Sequence, residues 1–147
     1  MDSALLGEFV QQQWLLFFSL FIIIFMIIQT YFGDKMAGYA SVSPEQAVRL
    51  INDGAFVLDV RSVDEYRTGH LNVAKNISIA DLAQKLESLN EHKEGPTLVY
   101  CESGMRSARA CGMLIKAGFK NISNLSGGIS SWRSANLPLA KHNKKGK

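Results

Sequence analysis

From Ser43 to Trp132 the chain alternates short apolar runs of strand character with segments that begin like helices. Ser43-Pro44-Glu45-Gln46 has the form of a capping box with proline at the first helical position, and predicts a helix ending near Gly54. Ala47, Val48, Leu50 and Ile51 supply its apolar stripe. Phe56-Val57-Leu58 has the character of a buried parallel strand. Asp59-Val60-Arg61 closes that strand, and Ser62 to Tyr66 starts a short helix stopped by Gly69. Asn76 to Ile79 reads as a weak strand, and Asp81-Leu82 begins a helix with apolar positions at Leu82, Leu86 and Leu89. Thr97 to Tyr100 is a further strand, and Ser107 to Ala117 a helix with Gly118 as its stop. A strand lies around Ile122, and Gly127-Gly128 turns the chain into a last short helix holding Trp132. Such alternation argues for an α/β domain with a parallel sheet, in which ligands bind beyond the carboxyl ends of the strands.

Asp59 and Cys101 both fall at such ends. The stretch Cys101-Glu102-Ser103-Gly104-Met105-Arg106 joins a strand to a helix, where backbone N–H groups and a helix N-terminus can converge on an anion. Such surroundings favour the thiolate, which is the nucleophilic form of cysteine. Gly104 lets the loop curl, and Arg106 places a fixed positive charge near the sulfur. A small buried cysteine at a strand end is the bland alternative. Cys111 falls among Ala108, Ala110, Met113 and Leu114 on the following helix, and reads as a buried small hydrophobe rather than a resolving thiol.

The N-terminal part has a different character. Trp14 to Ile28 is apolar apart from Ser19, and Tyr31 and Phe32 extend the stretch beyond Gln29-Thr30. A helix over 14–32 would be about 28 Å long, close to the thickness of a bilayer's hydrocarbon core. With Asp2 and Glu8 but no Lys or Arg before Lys35, the segment lacks the basic start of a signal peptide. The expectation is a single-pass transmembrane helix with the N-terminus outside and the C-terminal domain in the cytoplasm. Residues 1–13 then form a short leading segment, 33–40 a linker, 41–138 the domain and 139–147 a basic disordered tail able to graze anionic lipid. Gly33 to Ser41 is the only candidate hinge.

A net charge of +3, with no basic face interleaved with aromatics, argues against nucleic acid as a partner. His70, His92 and His142 stand far apart, without a second ligand at metal spacing. Two cysteines do not make a disulfide framework.

Asp59-Val60-Arg61, Glu65-Tyr66, Gly69-His70-Leu71, Asn76-Ile77, the loop from Cys101 to Arg106, and Gly127-Gly128 with Trp132 occur in an order that resembles a single-domain rhodanese, or sulfurtransferase, over Ser41 to Pro138. The resemblance implies a five-stranded parallel sheet with helices on both faces. It also implies a cysteine, here Cys101, that carries a persulfide sulfur between donor and acceptor without a metal or separate cofactor, with Arg106 as the second catalytic residue, aiding departure of the leaving group together with the loop amides. The backbone N–H groups of Glu102, Ser103, Gly104, Met105 and Arg106 would hold the persulfide anion. Asp59 and Arg61 would brace the loop or the neighbouring strand ends, and His70 would be structural.

Two positions depart from the family pattern. Val73 stands where a glycine is usual. Glu102 places an acid next to the nucleophile, which should raise the thiol pKa and repel an anionic donor, with Arg106 opposing it. The function implied is a membrane-anchored sulfurtransferase moving sulfane sulfur from thiosulfate or a protein persulfide to cyanide, a thiol or a partner's cysteine. The expected partners are those small donors and acceptors, with a sulfur carrier or a membrane protein as the protein partner. The alternatives are a membrane-tethered, non-catalytic adaptor and a cysteine phosphatase. Retention of Cys101, Gly104 and Arg106 counts against the adaptor. The Cys-x4-Arg spacing, shorter than the phosphatase Cys-x5-Arg, counts against a phosphoester substrate.

Overall fold

The computed structural model describes residues 7–8 and 11–141, the side chains of 31–36 excepted. The chain divides into two compact units, Met1–Met36 and Ala37–Lys147.

In the first unit, helix α1 spans Trp14–Met36. Its apolar side chains from Trp14 to Ile28 are exposed. Among the described residues, no helix is long and apolar enough to cross a membrane. Within the described residues the unbroken apolar run is short. Trp14 to Ile28 is 15 residues, about 22 Å of helix against a hydrocarbon core of about 30 Å, and Gln29 and Thr30 then interrupt it. This overturns the expected transmembrane anchor over 14–32, and with it the single-pass topology, the cytoplasmic placement of the domain and the outward N-terminus. The leading residues 1–6 and 9–10, the side chains of Tyr31, Phe32, Asp34 and Lys35, and the basic tail from His142 to Lys147 lie outside the described residues.

The second unit is built on five parallel strands: β1 (Ala40–Val42), β2 (Phe56–Asp59), β3 (Lys75–Asn76), β4 (Pro96–Tyr100) and β5 (Asn121–Leu125), in the order β1-β5-β4-β2-β3. Central strand β4 pairs Val99 with Leu58 on one side and with Asn124 on the other. Successive side chains alternate between faces, so both faces of the central strands must be apolar. Leu58, Val99 and Ile122 pack on one face with Leu82, Leu89, Ala110, Cys111 and Leu114. Val57, Leu98, Tyr100 and Leu125 pack on the other with Ala47, Leu71, Ile129 and Trp132.

The helices are α2 (Pro44–Asn52), α3 (Val63–Thr68), α4 (Ile79–Lys85) continued by a 3-10 turn over Leu86–His92, α5 (Met105–Lys116) and α6 (Gly128–Ser134). Reciprocal capping boxes start two of them, Ser43 with Gln46 and Ser62 with Glu65. Two local expectations are corrected. The strand expected over Asn76 to Ile79 stops at Asn76, because Ser78 accepts from the Asp81 amide and caps α4 two residues before the expected start. Helix α5 begins at Met105 rather than Ser107. The boundary between the two compact units, Met36 to Ala37, falls within the candidate hinge from Gly33 to Ser41, and β1 pairs with β5 through Ala40 and Ser123.

Candidate active site

Cys101 is the first residue beyond β4, at the carboxyl end of the sheet, and its side chain is almost fully buried. The Gly104 N–H donates to Sγ at 3.1 Å. The N–H groups of Ser103 and Ser107 are also directed at the sulfur, and the Ser107 hydroxyl lies 3.4 Å from it. Burial pushes the thiol pKa up, but the Ser107 hydroxyl and the three amides outweigh it, and the pKa falls below the ordinary thiol value.

The aim of these amides is set from behind the loop. The Ile129 N–H donates to the Cys101 carbonyl at 2.9 Å, and the Ser130 N–H donates to the Glu102 carbonyl at 3.2 Å. In a trans peptide the N–H points opposite to the C=O. Turning these two carbonyls toward α6 therefore turns the Glu102 and Ser103 amides into the concave side of the loop. Gly128 makes this approach feasible. It has φ +60°, and a Cβ there would lie 2.5 Å from both carbonyl oxygens. Gly104, at φ +99°, supplies the turn into α5.

Arg106 and Glu102, expected to act as charges near the sulfur, are each engaged by a partner. Arg106 forms a two-pronged ion pair with Glu65, Nη1 to Oε2 at 2.9 Å and Nη2 to Oε1 at 2.8 Å. The Arg106 hydrogen bonds hold the Glu65 carboxyl down to about 2, and Glu65 raises the Arg106 pKa. Glu102 is likewise held by partners. Arg133 of α6 donates to its Oε1 at 2.7 Å, Ser130 donates to the same oxygen at 3.2 Å, and Arg61 reaches its Oε2 at 3.4 Å. Burial raises the Glu102 pKa, but Arg133, Ser130 and Arg61 outweigh that and lower it. Met105, the first residue of α5, is exposed.

Asp59 and Arg61 are both fully buried and paired, with Nη2 to Oδ2 at 2.7 Å. Arg61 also donates to the Gly69 carbonyl at 2.7 Å, and its guanidinium lies 5.6 Å from the centre of the Tyr100 ring. The pair thus ties the end of β2 to the end of α3 and, through Glu102, to the loop. A buried pair of this kind is costly to break from one side, on the order of 3–5 kcal/mol. His70 lies outside the loop, stacked on Tyr66 at 3.7 Å with Nδ1 2.8 Å from the Tyr66 carbonyl. A cavity of about 260 Å³ between α2, Trp132 and Leu71 includes no residue of the loop.

Against known proteins, residues 43–135 match the family model of the rhodanese-like domain. The chain belongs to the rhodanese-like family. Within it, the chain is 36% identical over 102 residues to the thiosulfate sulfurtransferase GlpE of Pseudomonas entomophila, a match covering 67% of this chain and 89% of that protein. It is 32% identical over 117 residues to the uncharacterised protein YibN of Escherichia coli K12, covering 78% and 82% of the two chains. Among solved structures, it resembles a rhodanese-related protein from Thermoplasma volcanium with a TM-score of 0.63 and 30% identity, covering 69% of this chain and 98% of that one. The rhodanese-like fold of five parallel strands flanked by helices agrees with the architecture expected from the resemblance.

Five residues that shape this rhodanese-like site have no site role in the sequence reading: Glu65, Ser107, Asn124, Gly128 and Arg133. Glu65 carried a signal, because a capping-box acid starts a helix beside the strand end that the loop adjoins. Ser107 reaches Cys101 from six residues on, Asn124 and Arg133 act across 17 and 31 residues of sequence, and Gly128 acts by close backbone approach.

Proposed function

We propose that this chain is a rhodanese-type sulfurtransferase in which Cys101 carries sulfane sulfur as a covalent persulfide. The observation that carries the reading is the convergence of three backbone amides on Cys101 Sγ, with the carbonyls on the far side of the loop drawn off by α6. The relatives that are thiosulfate sulfurtransferases support the same class of reaction.

The Cys101 thiolate attacks the outer sulfur of thiosulfate. A bond forms between Sγ and that sulfur, the sulfur–sulfur bond of thiosulfate breaks, and sulfite leaves with the bonding pair. The product is Cys101–S–S⁻, whose negative charge the loop amides stabilise as they did the thiolate. A thiophilic acceptor such as cyanide then attacks the terminal sulfur, thiocyanate forms, and the electron pair of the broken bond returns to Sγ. A thiolate acceptor, on a small molecule or a partner protein, would leave carrying the sulfur in the same way. No step calls on a metal or a further cofactor. Arg106, held by Glu65, positions the first turn of α5, while Asp59 and Arg61 fix the strand end behind the loop.

The test is thiocyanate formation from thiosulfate and cyanide, together with intact-mass analysis after thiosulfate treatment. The wild-type chain should gain the mass of one sulfur atom on Cys101. Cys101→Ser should lose both the adduct and the turnover while keeping its thermal transition, since a hydroxyl cannot hold a persulfide but fits the same space. Full activity in Cys101→Ser would sink the proposal.

A further inference from the structure

The Ser107 hydroxyl has one proton and two acceptors within reach. Asn124 Oδ1 lies 2.6 Å from Ser107 Oγ, and Cys101 Sγ lies 3.4 Å from it. Asn124 is oriented by its other end, where Nδ2 donates to the Gly104 carbonyl at 3.2 Å. That contact makes Oδ1 the atom facing Ser107, so the shorter bond holds the proton on Asn124. Ser107 is fully buried and Asn124 nearly so, and the described residues give the hydroxyl no third acceptor.

We infer that Asn124 is a positioning residue of sulfur transfer: it competes with Cys101 for the Ser107 proton and so sets how strongly that hydroxyl stabilises the thiolate. With the charge on Sγ, before attack and after the acceptor has taken the sulfur, the proton swings to the sulfur. With the charge moved outward to the terminal persulfide sulfur, the proton returns to Asn124. The inference rests on Cys101 being the reacting thiol, as proposed above, and concerns which groups compete for one proton.

Other charged or titratable groups near Cys101 stay constant in the test. Arg106 and Cys111 of α5 both interact with it electrostatically, Glu102 is engaged by Arg133, and Asp59 and Arg61 are paired at the end of β2.

The experiment is the pH dependence of iodoacetamide alkylation of Cys101 in the full chain, located by peptide mass spectrometry. Asn124→Leu keeps the volume but removes the competing acceptor, and should lower the Cys101 pKa by about half a unit, or about threefold more thiolate at a fixed pH below it. Ser107→Ala should raise the pKa, and in that background Asn124→Leu should shift it no further. Asn124→Ala carries the same expectation if the leucine variant folds poorly. A pKa that rises on Asn124→Leu would show Asn124 merely supporting the loop through Gly104, and would overturn the inference. So would a fall of equal size with and without Ser107. Because alkylation needs no sulfur donor, a chain that alkylates as expected but forms no thiocyanate would sink the sulfurtransferase reading and leave the competition for the Ser107 proton standing.

Discussion

Two cysteines sit in the same apolar cluster, ten residues apart in sequence, and both are buried and free. Their chemistry is opposite. Cys101 is held below the ordinary thiol pKa, whereas burial pushes Cys111 up to about 12. Burial therefore decides neither case by itself. Around Cys101 the backbone has been bent so that three amides face the sulfur. Around Cys111 the α5 amides are spent on the helix itself, and its neighbours are Ala110, Leu114 and other apolar side chains. A reactive cysteine in this fold is a matter of where N–H groups point.

The sharpest way to break that comparison is Gly128→Ala. The methyl would meet the Cys101 and Glu102 carbonyl oxygens at 2.5 Å, and neither atom belongs to a flexible side chain. The loop must move off α6, and the amides lose their aim. Sulfur transfer should fall about 100-fold or more, as expected for a displacement of about 1 Å at a reacting group. The Cys101 pKa should rise toward that of an ordinary buried thiol, with about 1–3 kcal/mol of stability lost to backbone strain. An inactive variant with an unshifted thiol pKa would show that α6 matters for substrate rather than for the thiolate.

A smaller effect concerns Cys111. Its folded pKa lies above the unfolded value of about 8.5, so the native state keeps a proton that the unfolded chain releases. Its contribution to stability is present in full below pH of about 8.5, and is lost as pH rises toward about 12. Cys111→Ala should therefore flatten the alkaline limb of the unfolding free energy by up to about 1.4 kcal/mol per pH unit in that window, and should retain most of the sulfur transfer. The check is urea unfolding at a series of pH values. An unchanged limb would mean that Cys111 is not protonated by burial as described.

What was legible in the sequence was local. The capping boxes at Ser43 and Ser62, the apolar runs of β2 and β4, and the Cys101 loop between a strand and a helix each declare themselves within a few residues. Strand β1 does not, because three residues without a pattern become a strand only by pairing with β5. The alternation Ile77-Ser78-Ile79 suggested a longer β3, yet Ser78 was available as a helix cap, and the cap won. At the N-terminus, Gln29-Thr30 separates Tyr31 and Phe32 from the apolar run, whose unbroken part is 15 residues. The site was half legible for the same reason. Cys101, Gly104 and Arg106 could be picked out by type and spacing. The pull of α6 on the loop carbonyls, the Asn124–Ser107 contact and the partners of Glu102 join residues far apart in the chain, which no local pattern announces.

Glu102 gives the smallest and most discriminating effect. As a free acid beside the nucleophile it would raise the thiol pKa and repel thiosulfate. In place it accepts from Arg133 and Ser130 and faces Arg61, so its charge is compensated before it can act on the sulfur. Its own pKa is lowered by these partners against the effect of burial. Glu102→Gln should then shift the Cys101 pKa by no more than about 0.3 unit, within the range of screened, solvent-exposed charges. What it should change is the tether to α6, because an amide cannot hold Arg133 and Arg61 together as a carboxylate does. Weakening that tether should reduce the rate about twofold at all pH values, without moving the pH at which activity rises. Thiocyanate formation measured against pH for the wild-type chain and Glu102→Gln separates the two accounts. A leftward shift of the profile with faster turnover on thiosulfate would restore the repulsive role, and would mean that charge near the sulfur counts for more than the aim of the amides.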